Sequence, residues 1–116
     1  MYSLPELHRP TILVADHSPP SIELLSRVLG QDYRVKVARS DEKALQIVYA
    51  NEPPDLILPN IMMPDLSGHE VCRRIKTNPD RRGIPIIFVT AMTTTEYESL
   101  GLAIGAVDCI TKLGLV

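Results

Sequence analysis

The sequence has 116 residues, 45% of them hydrophobic, and a formal net charge of −2. That length and apolar content suit one domain with a continuous core that needs neither metal nor disulfide. The small negative charge, with 4% aromatics and no tryptophan, gives no basis for binding nucleic acid or an anionic membrane surface. Two cysteines, Cys72 and Cys109, form no CxxC pair and define no disulfide framework. Residues 1–10 hold two prolines and no apolar run. They are expected to be an irregular tail, neither signal peptide nor membrane anchor, ahead of a domain over 11–116. The expected compartment is the cytoplasm.

Thr11-Ile12-Leu13-Val14-Ala15 is an unbroken apolar run, the pattern of a strand buried on both faces. Ser18 is a candidate N-cap with Pro19 at the first helical position. Ile22, Leu25, Val28 and Leu29 then share a helical stripe that Gly30 closes. Tyr33 to Ala38 alternates apolar with basic residues, as at a sheet edge. Ser40-Asp41 caps a second helix carrying Ala44, Leu45 and Val48, and Asn51 to Pro54 stops it. Leu56-Ile57-Leu58 reads as a third buried strand. Pro59 lacks a ladder donor, so the strand should end or bulge there. Pro64 to Gly68 is a turn, followed by a third helix with Val71, Cys72 and Ile75 that ends near Asn78-Pro79.

Pro85 to Val89 is a fourth strand. A fourth helix opens at Thr93-Thr94-Thr95-Glu96, buries Leu100 and Ile104, and ends at Gly105, a natural left-handed C′ residue. Val107 to Ile110 is a fifth, shorter strand. Strand–helix alternation implies a parallel sheet with right-handed crossovers and helices on both faces. After Ile110 too few residues remain for a fifth helix, so it is expected to be absent or truncated, leaving one flank of the fifth strand uncovered.

In such a sheet the functional crevice lies beyond the carboxyl ends of the strands. Those ends deliver Asp16-His17, Asn60, Thr90-Ala91 and Lys112 to one rim. The runs Ile12 to Asp16, Asp55 to Gly68, Ile87 to Ala91 and Gly105 to Lys112 resemble, in order and spacing, the receiver domains of two-component response regulators. The resemblance covers nearly the whole chain from Pro10 to Lys112. It implies a flavodoxin-like, doubly wound, five-stranded parallel sheet of order 2-1-3-4-5. It also implies a phosphorelay in which an aspartate takes a phosphoryl group from a histidine kinase with Mg²⁺. A carboxylate attacks phosphorus, further acids hold the hard cation, and a lysine offsets developing charge.

By this resemblance Asp16 matches the first metal-holding acid, Thr90 the switch hydroxyl and Lys112 the site lysine. Met62 matches the metal-ligating carbonyl and Gly68 the turn glycine. Four positions depart. Asn60 stands where the nucleophilic aspartate belongs, and an amide is a poor nucleophile. His17 replaces the second metal-holding acid, Cys109 the aromatic switch, and Leu113 the proline after the lysine. A cis Lys112–Leu113 bond would cost about 3–4 kcal/mol, so a trans bond is expected. By reference ionisation the pocket goes from about −2 to about zero, so little Mg²⁺ binding is expected.

The expectation is a degenerate receiver with no cofactor, acting by protein contact and not as an enzyme. Its expected partners are a histidine kinase, an output domain, or a second copy on the face of the fourth helix and fifth strand. Neither nucleic acid nor membrane is among them. One alternative is phosphate acceptance through Asp16, Asp65 or Thr90. Another is a small-ligand pocket at the same rim, which lacks a Gly-rich phosphate loop.

Several residues carry blander readings. Asp16 and His17 alone do not close a transition-metal site. Asn60 could serve as a structural amide bonding Lys112. His69 is expected to face solvent, with Cys72 and Cys109 as ordinary small hydrophobes. Arg73, Arg74, Lys76, Arg81 and Arg82 are expected to form a solvated basic face around the end of the third helix.

Overall fold

The computed structural model describes residues 9–60, 68–90 and 102–111. Strand β1 (Thr11–Ala15) leads into helix α1 (Pro19–Leu29), β2 (Arg34–Ala38), α2 (Asp41–Val48) and β3 (Leu56–Pro59). Helix α3 (Gly68–Lys76) and strands β4 (Ile87–Thr90) and β5 (Asp108–Thr111) follow. Every named strand pairing is parallel. β1 lies between β2 and β3, which explains its unbroken apolar run. β2 is the edge, as predicted, but its burial does not follow the alternation: Val37 is exposed and Lys36 half-buried.

Alternation along β1 divides the core in two. Leu13 and Ala15 join Ala44, Val48, Val71, Cys72, Ile75 and Phe88 on the α2/α3 face. Ile12 and Val14 join Leu25, Leu58 and Val89 on the α1 face. On the α1 face an apolar cavity of about 430 Å³ opens between Leu29, Leu56, Ile87 and Ile110. The sequence reading expects a fifth helix to be absent or truncated over this flank. That helix, Leu100, the opening of the fourth helix and the Lys112–Leu113 bond all lie outside the described residues.

The ends of α1 differ from their sequence reading. Ser18 is extended (φ −89°, ψ 114°) and makes no side-chain cap. Pro19 and Pro20 supply no N–H in the first turn, so few donors there need capping. Gly30 is right-handed (φ −65°), an ordinary helical residue donating to the Ser26 carbonyl at 2.8 Å, not a left-handed terminator. Val28 is 43% exposed. By contrast Ser40 caps α2 as expected, its Oγ accepting from the Lys43 amide at 3.1 Å. Residues 102–104 are helical, and Gly105 takes φ 124° as expected. A Cβ there would stand 3.0 Å from Lys76 Cγ, so strain and crowding both favour glycine.

The expected single ladder of order 2-1-3-4-5 is interrupted. The strands form a three-stranded sheet, β2-β1-β3, and a two-stranded one, β4-β5. Two isolated parallel bridges, Ile57 to Ile86 and Asn60 to Val89, link them in one common register. Pro59 explains the gap. Ile57 donates its amide to the Pro85 carbonyl on the β4 side, and Asn60 donates to Ala15 on the β1 side. Alternation turns position 59 toward β4, where proline has nothing to donate.

The basic cluster is not simply a solvated face. Lys76 donates its ammonium to the carbonyls of Arg82 (2.9 Å) and Ile84 (2.7 Å). The Arg81 guanidinium bonds Val48 O at 2.8 Å and Ala50 O at 3.2 Å, which caps the end of α2. Arg73, Arg74 and Arg82 follow the surface reading: Arg82 is exposed, and Arg73 and Arg74 each pair with Glu70.

Candidate functional site

The rim is built by parallel strands that end level with one another. In the β1–β3 register Ala15 lies beside Pro59, so the residues that follow, Asp16 and Asn60, emerge side by side. The Asp16 amide donates to Ala38 O at 3.0 Å, which fixes the strand end against β2. The Asn60 backbone amide donates to Ala15 O at 2.8 Å, so both backbones are pinned where the side chains begin.

The two side chains meet. Asp16 is 1% exposed and Asn60 7%. Asn60 Nδ2 donates to Asp16 Oδ1 at 3.3 Å, and the Ser18 amide donates to the same oxygen at 3.0 Å. A carboxylate only accepts, so the amide must turn its NH₂ toward it. Two N–H donors on one oxygen provide much of what a buried carboxylate requires. Thr90 ends β4 with 4% exposure, one residue beyond the Asn60–Val89 bridge. Asp16, Asn60 and Thr90 therefore gather at one edge, as the sequence predicts.

His17 is the next residue at this edge. It follows buried Asp16, precedes the Ser18 turn and is exposed. Cys109 lies deeper on β5, in register with Phe88, and packs half-buried against the α2/α3 core. Met62, Asp65, Lys112 and Leu113 lie outside the described residues.

The direct Asp16–Asn60 bond was absent from the sequence reading, which offered Lys112 as the partner of the amide. The signal was available in the expected strand order. Strands 1 and 3 are neighbours, and each residue follows its strand immediately. His69 is a second correction. It is 8% exposed, its ring edge-to-face with Phe88 at 5.0 Å between centroids. It stands one turn before Cys72 on the buried stripe of α3, so the first turn is covered by β4. Cys72 is a core residue as expected. Burial pushes its thiol up to about 11, which leaves it protonated and unreactive at neutral pH.

The family description "Response regulator receiver domain" matches residues 12–114. A "Probable cyclic di-GMP phosphodiesterase" of Vibrio cholerae is 46% identical over 110 residues, covering 95% of this chain. The chain spans 25% of that relative's length and 22% of the response regulator PleD of Caulobacter vibrioides. Among solved structures, the N-terminal domain of a response regulator receiver protein from Methanoculleus marisnigri aligns with TM-score 0.80 and 38% identity. That match covers 89% of this chain and 84% of the other. The chemotaxis response regulator CheY4 of Vibrio cholerae aligns with TM-score 0.82 and 25% identity, covering 90% and 87%. The chain therefore belongs to the response regulator receiver domain family of two-component signalling, with its CheY-like, flavodoxin-like α/β fold.

Proposed function

We propose that this receiver domain relays a signal without accepting a phosphoryl group, through contacts with other proteins. The observation that carries this reading is Asn60. At the end of β3 it presents a neutral amide, held against Asp16 at 3.3 Å. An amide has no ionised oxygen with which to attack phosphorus and form an acyl phosphate. Magnesium fits poorly as well. The hard cation wants several oxygen ligands in near-octahedral order. At the ends of β1 and β3 Asp16 supplies a carboxylate whose Oδ1 already accepts two N–H donors, and Asn60 supplies an amide. His17, the other position in the metal pair, is exposed.

The two ladders are best read as one five-stranded sheet, 2-1-3-4-5, loosened at Pro59. With Cys109 in place of an aromatic switch, the input must act on surfaces. Candidate partners are a histidine kinase, an output domain in the same polypeptide, or a second copy on the face of the fourth helix and β5. An output domain agrees with the small share of the Vibrio relative that this chain spans.

The test is incubation with Mg²⁺ and acetyl phosphate, read by intact mass. The unmodified chain should show no adduct, and a chain carrying His17→Asp with Asn60→Asp should gain one phosphoryl group. A stoichiometric adduct on the unmodified chain overturns the proposal and favours acceptance at another residue such as Thr90.

A further inference from the structure

We propose that the Asn60 amide acts as an internal substitute for a cation, locking the ends of β1 and β3 together whether or not a divalent ion is present. Asp16 is 1% exposed, and an ionised carboxylate at that depth is tolerated only when hydrogen-bonded or paired. Its Oδ1 takes one N–H from Ser18, in the turn that opens α1, and one from Asn60 on β3. The carboxylate thus joins the β1–α1 turn to the end of β3. The amide supplies the positive end of a dipole at a position where the family resemblance places an acid.

The pairing is directional. Asp16 accepts and Asn60 donates, and exchanging the two residues preserves one donor and one acceptor at the same separation. A carboxylate at both positions would set like charges about 3 Å apart, which raises one pKa or draws in a cation. An amide at both positions keeps a hydrogen bond but loses its charge assistance. The rim of this chain is therefore expected to hold one arrangement in any magnesium concentration. This inference deepens the reading of a phosphorylation-independent receiver, yet it concerns stability and not phosphate chemistry.

The experiment is thermal unfolding at neutral pH, with and without millimolar MgCl₂, on the unmodified chain, D16N, N60D and the exchanged pair D16N/N60D. The unmodified chain should melt at one temperature in both buffers. N60D should melt lower by about 5 °C or more without magnesium and recover when it is added. D16N should be lowered and indifferent to magnesium, and the exchanged pair should regain most of the loss without magnesium. The proposal is overturned if N60D matches the unmodified chain in both buffers. It is overturned equally if the exchanged pair is no more stable than the two single losses combined. Should N60D fail to fold without magnesium, the exchanged pair still decides, by folding or failing to fold in that buffer. No phosphoryl donor is present, so a phosphate adduct in the earlier test would sink the functional reading and leave this result standing.

Discussion

Along β3 the side facing β1 carries an unbroken ladder, whereas the side facing β4 carries two isolated bridges. Toward β1 four residue pairs are in register, and the ladder is closed at both ends. Asp55 donates to Thr11 O at 2.8 Å below, and Asn60 donates to Ala15 O at 2.8 Å above. Toward β4 the register is the same on both sides of the gap, and Ile57 keeps its bond to Pro85 O at 3.0 Å. The strands are correctly aligned there and lack a donor. Backbone pairing thus holds β1 to β3, while side chains carry much of the join between β3 and β4. The site residues follow the same division, since Asp16 and Asn60 sit on the bonded seam and Thr90 lies across the loose one.

The largest effect should come from removing the packing that bridges the loose seam. Phe88 on β4 is fully buried and sits against His69 of α3. Phe88→Ala should cost about 3–5 kcal/mol, read as a lower urea midpoint at unchanged slope. Its distribution sharpens the comparison. Amides of β4 and β5 should lose hydrogen-exchange protection before those of β1 and β2. If all five strands lose protection together, the seam is not a point of weakness.

A smaller effect should come from supplying the missing donor. Pro59→Val places an N–H toward β4, where the same step that joins Ile57 to Pro85 leads to the Ile87 carbonyl. One ladder hydrogen bond contributes about 0.5–1.5 kcal/mol. Loss of proline returns about 0.4–1 kcal/mol of freedom to the unfolded chain. The net change in stability should therefore lie within about 1 kcal/mol of zero. The amide of residue 59 should nonetheless exchange slowly, and fast exchange there would mean that something other than proline holds the strands apart.

What the sequence made legible follows from how local each cause is. The apolar run of β1, the edge position of β2, the Ser40 cap and the left-handed Gly105 depend on residues within a few positions, and each stands as read. Pro59 marks an end or bulge of β3 in the sequence because its missing donor is local. That the gap would divide the sheet was not readable, because it depends on which neighbour position 59 faces. His69, Lys76 and Arg81 were misread for the same reason. Polar type suggested solvent, but Phe88, the 82–84 carbonyls and the end of α2 arrive from distant parts of the chain. At the site, strand-end spacing picked out Asp16, Asn60 and Thr90. It could not show that the Asn60 amide bonds Asp16.

The smallest effect concerns α3, whose buried face, Val71, Cys72 and Ile75, shares a core with Ile57 of β3, with Ile86 just before β4 and with Phe88 of β4. This helix spans the loose seam, and its outer face carries Glu70 with Arg73 and Arg74 one turn on. The hydrogen bond from Arg73 is the main reason the Glu70 carboxyl is held down at about 2, from an ordinary 4.5, with Arg74 adding to it. Glu70 therefore binds a proton less readily in the folded chain than in the unfolded one. Its contribution to stability is complete above pH 4.5 and is lost as pH falls through about 2. Glu70→Gln should lower the urea midpoint slightly at neutral pH, and the two chains should converge over that acid window. Added salt should shrink the neutral-pH difference, because the pair is at the surface. If the difference persists undiminished below pH 2, the side chain acts on α3 through something other than its charge, and the ion pairs contribute nothing to holding the helix across the seam.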